Sequence, residues 1–267
     1  MIFLELSLVL LFSFFLSVLA SFFNVVIVRT AREESFSKGR SKCDHCHKTI
    51  AWYDNVPVLS FLMLGGKCRH CHKKIAPVYF FSELLAFFTG VIFYLAYVNF
   101  PFLQNLAIGQ LIIYFFIAFI LLFTLLADLQ YMIVPDFFVV LLSILALLLQ
   151  ITSGRAWFYP IVAVLFSTGF FFLLSFLAKK ALHKDALGLG DIKLMVPIAF
   201  LLSWPNVALN IFMAFIIGGF FAMLVLITGR KKIGQALPFA PFLILAAFLS
   251  FACGTAIWQW YLGLILR

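Results

Sequence analysis

Charge is what this sequence has least of. Lys, Arg, Asp and Glu make up 11% of its 267 residues, while 65% are hydrophobic and the mean hydropathy is +1.15. An ordinary soluble domain is about half apolar and a quarter charged, so a water-soluble domain is excluded and a polytopic membrane protein is expected. Acid is scarcer than base, with ten Asp and Glu against nineteen Lys and Arg. Other signals are missing altogether. No H-E-x-x-H occurs, which argues against a zinc protease, and Gly39, Gly65 and Gly66 form no nucleotide-binding fingerprint. The first apolar stretch lacks a basic start and a small-residue cleavage pattern, and it is too long for a signal-peptide core. It is therefore read as a span, and nothing points to secretion. No internal repeat or low-complexity segment is evident.

What is there is a series of apolar runs. Taking a span as about 17–25 residues, they fall near 2–28, 78–98, 106–127, 134–151, 158–178, 191–203, 208–228 and 236–266. The sixth is short and carries Pro197, which predicts a kinked or short helix. The last is a candidate for a break at Cys253-Gly254. The fold class that follows is an all-α polytopic membrane protein of about eight transmembrane helices, with a small cytosolic module between the first and second.

A net charge of +9 would suggest nucleic acid as partner in a soluble protein, but here topology accounts for it. With the N-terminus outside, every Lys and Arg except Arg155 and Arg267 falls in an inside segment: ten in 29–77, then Lys179, Lys180, Lys184, Lys193, Arg230, Lys231 and Lys232. The positive-inside rule thus puts both termini outside and 29–77 in the cytosol, with the lipid bilayer rather than nucleic acid as the surrounding partner.

Segment 29–77 is the one sizeable soluble part. It holds Cys43-Asp44-His45-Cys46 and Cys68-Arg69-His70-Cys71. Two C-x-x-C pairs at this separation match two knuckles sharing one zinc ion through four thiolates, and disulfides are disfavoured in the cytosol. A site closed by Cys43, Cys46, Cys68 and Cys71 leaves no open coordination position, so the zinc is read as structural. His45, His47, His70 and His72 flank the thiolates, either as alternative ligands or as solvated neighbours. Between the knuckles runs Trp52-Tyr53-Asp54-Asn55-Val56-Pro57-Val58-Leu59-Ser60-Phe61-Leu62, too apolar for a solvated linker and expected to lean on the membrane face or the span ends. Asp54-Asn55 reads as turn chemistry or as a substrate or cofactor contact. Ser21 and Asn24 share one helical face and read as helix-packing glue or substrate contacts. Glu83, just inside the second span, needs a partner such as Lys73, Arg69 or a backbone donor.

Two further acids stand at span ends. Asp128 closes the apolar run 111–127, where a helix C-terminus disfavours negative charge. Asp191 follows Gly188-Leu189-Gly190 where a basic loop meets the sixth span. It is either the N-cap of a tight turn or a working carboxylate, with Gly188 and Gly190 letting a substrate backbone approach. The calculated topology puts Asp128 and Asp191 on the same cytosolic rim. Asp136, directly after Pro135, fits a helix start. Gly218-Gly219 suits close helix packing, and Leu237-Pro238-Phe239-Ala240-Pro241-Phe242 an irregular start of the last span. Two other classes compete: a transporter using the acids as ion sites, and a noncatalytic anchor whose zinc module docks a partner.

Taken together, these motifs closely resemble the bacterial prepilin peptidases, the type IV leader peptidases of the G-x-G-D aspartic protease class. The likeness runs through 22–29, the two C-x-x-C pairs, 52–60, Val78-Tyr79 with Glu83-Leu84, Asp128 with Val134-Pro135-Asp136, 188–194 and Leu237-Pro238-Phe239. It implies three parts: a first transmembrane helix at 1–28, a cytosolic zinc-binding loop domain at 29–77 and a seven-helix transmembrane aspartic peptidase domain at 78–267. The implied activity is removal of the basic leader of type IV prepilins or type II secretion pseudopilins at the cytosolic face of the bacterial inner membrane. Asp128 and Asp191 would be catalytic. N-methylation of the new N-terminus from S-adenosylmethionine is implied as well, at a cofactor site the resemblance does not assign. Departures from the family pattern fall at Ala20, Phe80, Ala240 and Asp185-Ala186-Leu187, none of which is a candidate carboxylate or ligand. Helix ends then predict roles within the carboxylate pair: Asp191 as base and Asp128 as acid, sharing one proton. A basic leader facing basic loops would have to be met by acids such as Glu33, Glu34 or Asp54, or by backbone contacts.

Overall fold

A computed structural model of the chain describes residues 2–99, 101–104, 106–154, 156–182, 188–229 and 237–265. Arg155, Lys184, Asp185-Ala186-Leu187, Arg230, Lys231, Lys232 and Arg267 lie outside the described residues. With no water in a bilayer core, each apolar run must satisfy its backbone internally, and a helix is how one segment does so alone. The helices are α1 (Ile2–Ala31), α2 (Leu59–Met63), α3 (Pro77–Asn99), α4 (Pro101–Gln104), α5 (Ile108–Tyr131), α6 (Asp136–Ser153), α7 (Phe158–Leu182), α8 (Leu189–Leu202), α9 (Asn206–Ile227) and α10 (Ala240–Ile265).

Prolines start several of these helices: Pro77 and Pro101 open α3 and α4, and Pro135 and Pro205 precede α6 and α9. Left-handed residues stop them, Met132 after α5, Gly154 after α6 and Gly229 after α9. Among the described residues, seven helices are long and apolar enough to cross a membrane. The eighth, α8, has fourteen residues, about 21 Å at 1.5 Å per residue, against a hydrocarbon core of about 30 Å. Pro197 lies inside it, as the short sixth run suggested. The suspected break at Cys253-Gly254 is corrected: α10 runs unbroken through both. Gly254 instead gives room to Asn206, whose Oδ1 lies 2.7 Å from where a Cβ would sit.

The chain divides into two compact units, Met1–Leu111 and Ile112–Arg267. In the first, α1 and α3 pack antiparallel: Asn24 Nδ2 donates to Ser82 Oγ at 2.8 Å near one end, and Tyr94 donates to Glu5 near the other. Small residues let the backbones close up, and a Cβ on Gly90 would fall 3.0 Å from the Ser13 Cα. Residues 32–76 therefore sit at the shared end of α1 and α3. In the second unit the short α8 is the hub, packed against α6, α7, α9 and α10. Leu194, Met195, Ile198 and Ala199 are fully buried around Pro197.

Candidate active site and metal centre

The candidate metal centre belongs to the first unit. The ligand atoms of Cys43, Cys46, Cys68 and Cys71 all lie within 4.8 Å of one another, with Cys43 Sγ and Cys71 Sγ 3.9 Å apart. Four thiolates at about 2.3 Å from a tetrahedral zinc stand about 3.8 Å apart, so the donor set fits the ion and is too wide for disulfides. Each pair is made by the same knuckle. The amide of Cys43 donates to Lys48 O and that of His47 to Cys43 O; Cys68 and His72 repeat this with Lys73 and Cys68. Lys42 bridges Thr49 as Lys67 bridges Lys74. His47 and His72 both have φ 56°.

This is the internal repeat missed in the sequence: Lys-Cys-x-His-Cys-His-Lys-x-Ile occurs at 42–50 and again at 67–75. The second knuckle's amides, those of Cys71 and His70, favour the Cys68 thiolate, while, against the Lys73 amide, burial and the three neighbouring sulfurs push the Cys71 thiol up. All four flanking histidines are exposed, and the cysteines alone make the cluster.

Between the knuckles, Trp52–Asp54 forms a single 3₁₀ turn. Asp54 is gripped by Arg69 through two bonds of 2.6 and 2.8 Å, and Arg69 also covers the Tyr53 ring. The guanidinium holds the Asp54 carboxyl below its usual range, which removes this acid from those free to meet a basic leader. Glu83 finds the backbone donor anticipated for it: Val58 N–H donates to Oε2 at 2.9 Å, and Ser21 hydrogen-bonds the same carboxylate. Lys73 and Arg69 are not its partners.

The aspartates belong to the second unit. Asp128 is in the last turn of α5 and Asp191 in the first turn of α8, exposed by 5% and 9%. Gly188 is the N-cap, so Asp191 stands three residues into the turn rather than capping it. The two side chains interact electrostatically, which puts both at one end of this bundle. Each is also tied to backbone. Ala240 N, the first amide of α10, donates to Asp128 Oδ2 at 3.1 Å, and the Gly188 backbone hydrogen-bonds the Asp191 carboxylate. The Ala240 contact was missed because a backbone donor has no side-chain signature; the proline-flanked run 238–241 was its only sequence trace.

The loop joining α5 to α6 closes the same end. Val134 packs on Gly190, where a Cβ would come within 3.1 Å of the Val134 Cβ. Gly188 is exposed and extended, with φ −70° and ψ 139°. Asp136 pairs with Lys193 at 2.8 Å on the surface. Two buried carboxylates so held, with the exposed, extended Gly188 next to Asp191, are the equipment for activating water on a peptide carbonyl.

Comparison with known proteins follows the division of the fold. The bacterial peptidase A24 N-terminal domain matches residues 14–100, and the type IV leader peptidase family matches residues 115–223. Among curated proteins the chain is similar to a prepilin leader peptidase/N-methyltransferase of Bacillus subtilis (strain 168), 29% identical over 93% of this chain and 96% of that protein. It is 30% identical to a protein of the same description from Myxococcus xanthus (strain DK1622), over 82% and 65% of the two chains. For that of Legionella pneumophila the figures are 28%, 84% and 76%. No solved structure matches the chain.

Proposed function

We propose that this chain, which belongs to the type IV leader peptidase family, an aspartic peptidase class, cuts the leader from type IV prepilins or type II secretion pseudopilins at the cytosolic membrane boundary. The carrying observation is that Asp128 and Asp191, remote in sequence, interact at one end of the second unit. The excess of Lys and Arg in the segments read as inside supports the cytosolic placement of that end.

In this reading the pair shares one proton because two like charges at one site resist joint ionisation. The ionised member takes a proton from water as the water attacks the scissile carbonyl. The protonated member donates to the carbonyl oxygen. The pair then returns a proton to the leaving amine. Asp191, at the positive end of α8, is the base that opens the cycle, and Asp128, at the negative end of α5, is the acid. They titrate as a unit. Gly188 offers its exposed, extended backbone to the substrate, whereas the close approach at Gly190 is taken up by Val134 rather than by substrate. Glu33 and Glu34 remain as the exposed acids available to a basic leader.

Zinc held by Cys43, Cys46, Cys68 and Cys71 would organise the cytosolic module and take no part in hydrolysis. Methylation of the new N-terminus from S-adenosylmethionine is the second activity proposed, on the strength of the relatives' names. The aromatic ledge of Trp52 and Tyr53 does not fit an adenosine with a ribose-binding acid, since its neighbour Asp54 is already bound by Arg69. No residue is therefore assigned to that cofactor.

The test is cleavage of a prepilin N-terminal peptide by the purified protein in detergent, read by mass spectrometry with and without S-adenosylmethionine. Asp128→Asn and Asp191→Asn should each abolish leader loss while helical content and zinc content stay unchanged. Full cleavage by either variant would sink the assignment.

A further inference from the structure

The short helix α2 has two unlike sides. Ser60 and Phe61 face inward: Ser60 Oγ donates to Tyr53 O and accepts from Val56 N, and Phe61 covers Gly66. Leu59, Leu62 and Met63, spaced as one helical face, point outward and are 54%, 60% and 82% exposed. Nothing in a cytosolic module of about fifty residues explains three such side chains in water, since they form a contiguous apolar face.

The height of α2 is fixed by two contacts to α3. The Phe61 ring stacks on Phe80 with centroids 4.8 Å apart, and Val58 N–H reaches Glu83. Glu83 is six residues past Pro77, about 9 Å along the axis of a helix that crosses the membrane. α2 therefore lies alongside the first two turns of a span rather than beyond its tip. On α3 itself, Phe81 and Leu85 are exposed at that same height, as apolar side chains of a membrane span are toward lipid. Trp52 and Tyr53, 77% and 52% exposed, are the residue types that collect at the headgroup level. Lys67 and Lys74, exposed and joined by a backbone bridge close to the start of α3, have the long side chains suited to snorkelling toward lipid phosphates.

We infer that the zinc module is seated in the membrane surface. Leu59, Leu62 and Met63 enter the boundary between headgroups and acyl chains of the cytosolic leaflet, so that the module is a peripheral anchor as well as a metal-stapled loop.

The experiment uses the full zinc-loaded chain in nanodiscs of phosphatidylethanolamine and phosphatidylglycerol containing a phospholipid with a diazirine near the headgroup end of its acyl chain. Adducts are mapped by mass spectrometry. The expected result is labelling of 59–63 at a yield within about threefold of that on Phe81, as for an interfacial helix. In Leu62→Asp/Met63→Asp the yield on 59–63 should fall by about tenfold or more while zinc stoichiometry and labelling of Phe81 hold; Met63→Gln, milder, should show a smaller fall if the double variant loses zinc. Labelling of Phe81 and Leu85 with none on 59–63 would overturn the inference.

Discussion

Gly190→Ala separates a packing role for this glycine from a merely permissive one. The new methyl would meet Val134 Cβ at 3.1 Å and Cγ2 at 3.2 Å, with the Val134 amide nitrogen at 3.6 Å. Carbon contacts settle at about 3.5–4.0 Å, so one partner must retreat by about half an ångström. Val134 is poorly placed to do so. It lies between left-handed Met132 and Pro135, whose ring restricts the residue before it. The start of α8 gives way instead, carrying Asp191 with it. Overpacking of this kind costs about 1–3 kcal/mol, a shift of only several degrees in the thermal midpoint for a chain of this size. Catalysis is more sensitive, because a misplacement of about 1 Å can cost roughly a hundredfold. Leader removal, followed as a mass change over time, should therefore slow by about one to two orders of magnitude in a protein that still folds. Val134→Gly in the same chain removes both crowding carbons and should recover much of the loss, a coupling absent for independent sites. A Gly190→Ala enzyme that cuts at the parent rate, or a double variant no better than Gly190→Ala, would refute the reasoning.

Elemental analysis should find one zinc per chain, and Cys68→Ser or chelation should remove hydrogen-exchange protection across 41–75 while the membrane helices stay folded; apparent binding of about 10–16 kcal/mol is typical of such sites. Unchanged protection without metal would exclude a structural role. Glu83→Ala should destabilise the first unit by about 1–3 kcal/mol, because it orphans the Val58 amide, on a β-branched residue already at φ 62°. Glu83→Gln keeps an acceptor and should cost less, so equal losses in thermal unfolding would discard this account. Asp136→Asn should leave leader cleavage within a few-fold of the parent, because its bond to Lys193 is a surface ion pair worth at most about 1 kcal/mol; abolished cleavage would make Asp136 a third working acid.

Hydropathy made the long helices legible because each of their apolar runs is about as long as the hydrocarbon core is thick and must satisfy its backbone within itself. The cysteine pairs were legible for a similar reason: thiolate spacing is itself the geometric requirement. Helix ends were less so. Hydropathy puts the start of the last run at 236, but α10 begins at Ala240, since hydropathy does not register that Pro238 turns the residue before it away from helical geometry, while Pro241 is tolerated in the first turn. Glu83 advertised that it needed a donor, but not which one, because the donor is the amide of Val58. The knuckle repeat at 42–50 and 67–75 is written in the sequence at an offset of 25 residues, but two copies of nine residues make no sustained period of the kind a stacked repeat shows.

Backbone amides also account for where the two aspartates stand. A carboxylate surrounded by apolar helices needs hydrogen-bond donors, and in a membrane bundle the interior of every helix has already spent its own. Unspent N–H groups exist at helix N-termini. Asp128 takes the first amide of α10, and Asp191 sits in the first turn of α8 against the Gly188 backbone. The same helix ends that make the acids tolerable also put them at the rim of the bundle rather than at its middle, where an ion-conducting pair would be sought. At that rim the exposed, extended backbone of Gly188 is where the proposed hydrolysis would bring peptide and water together.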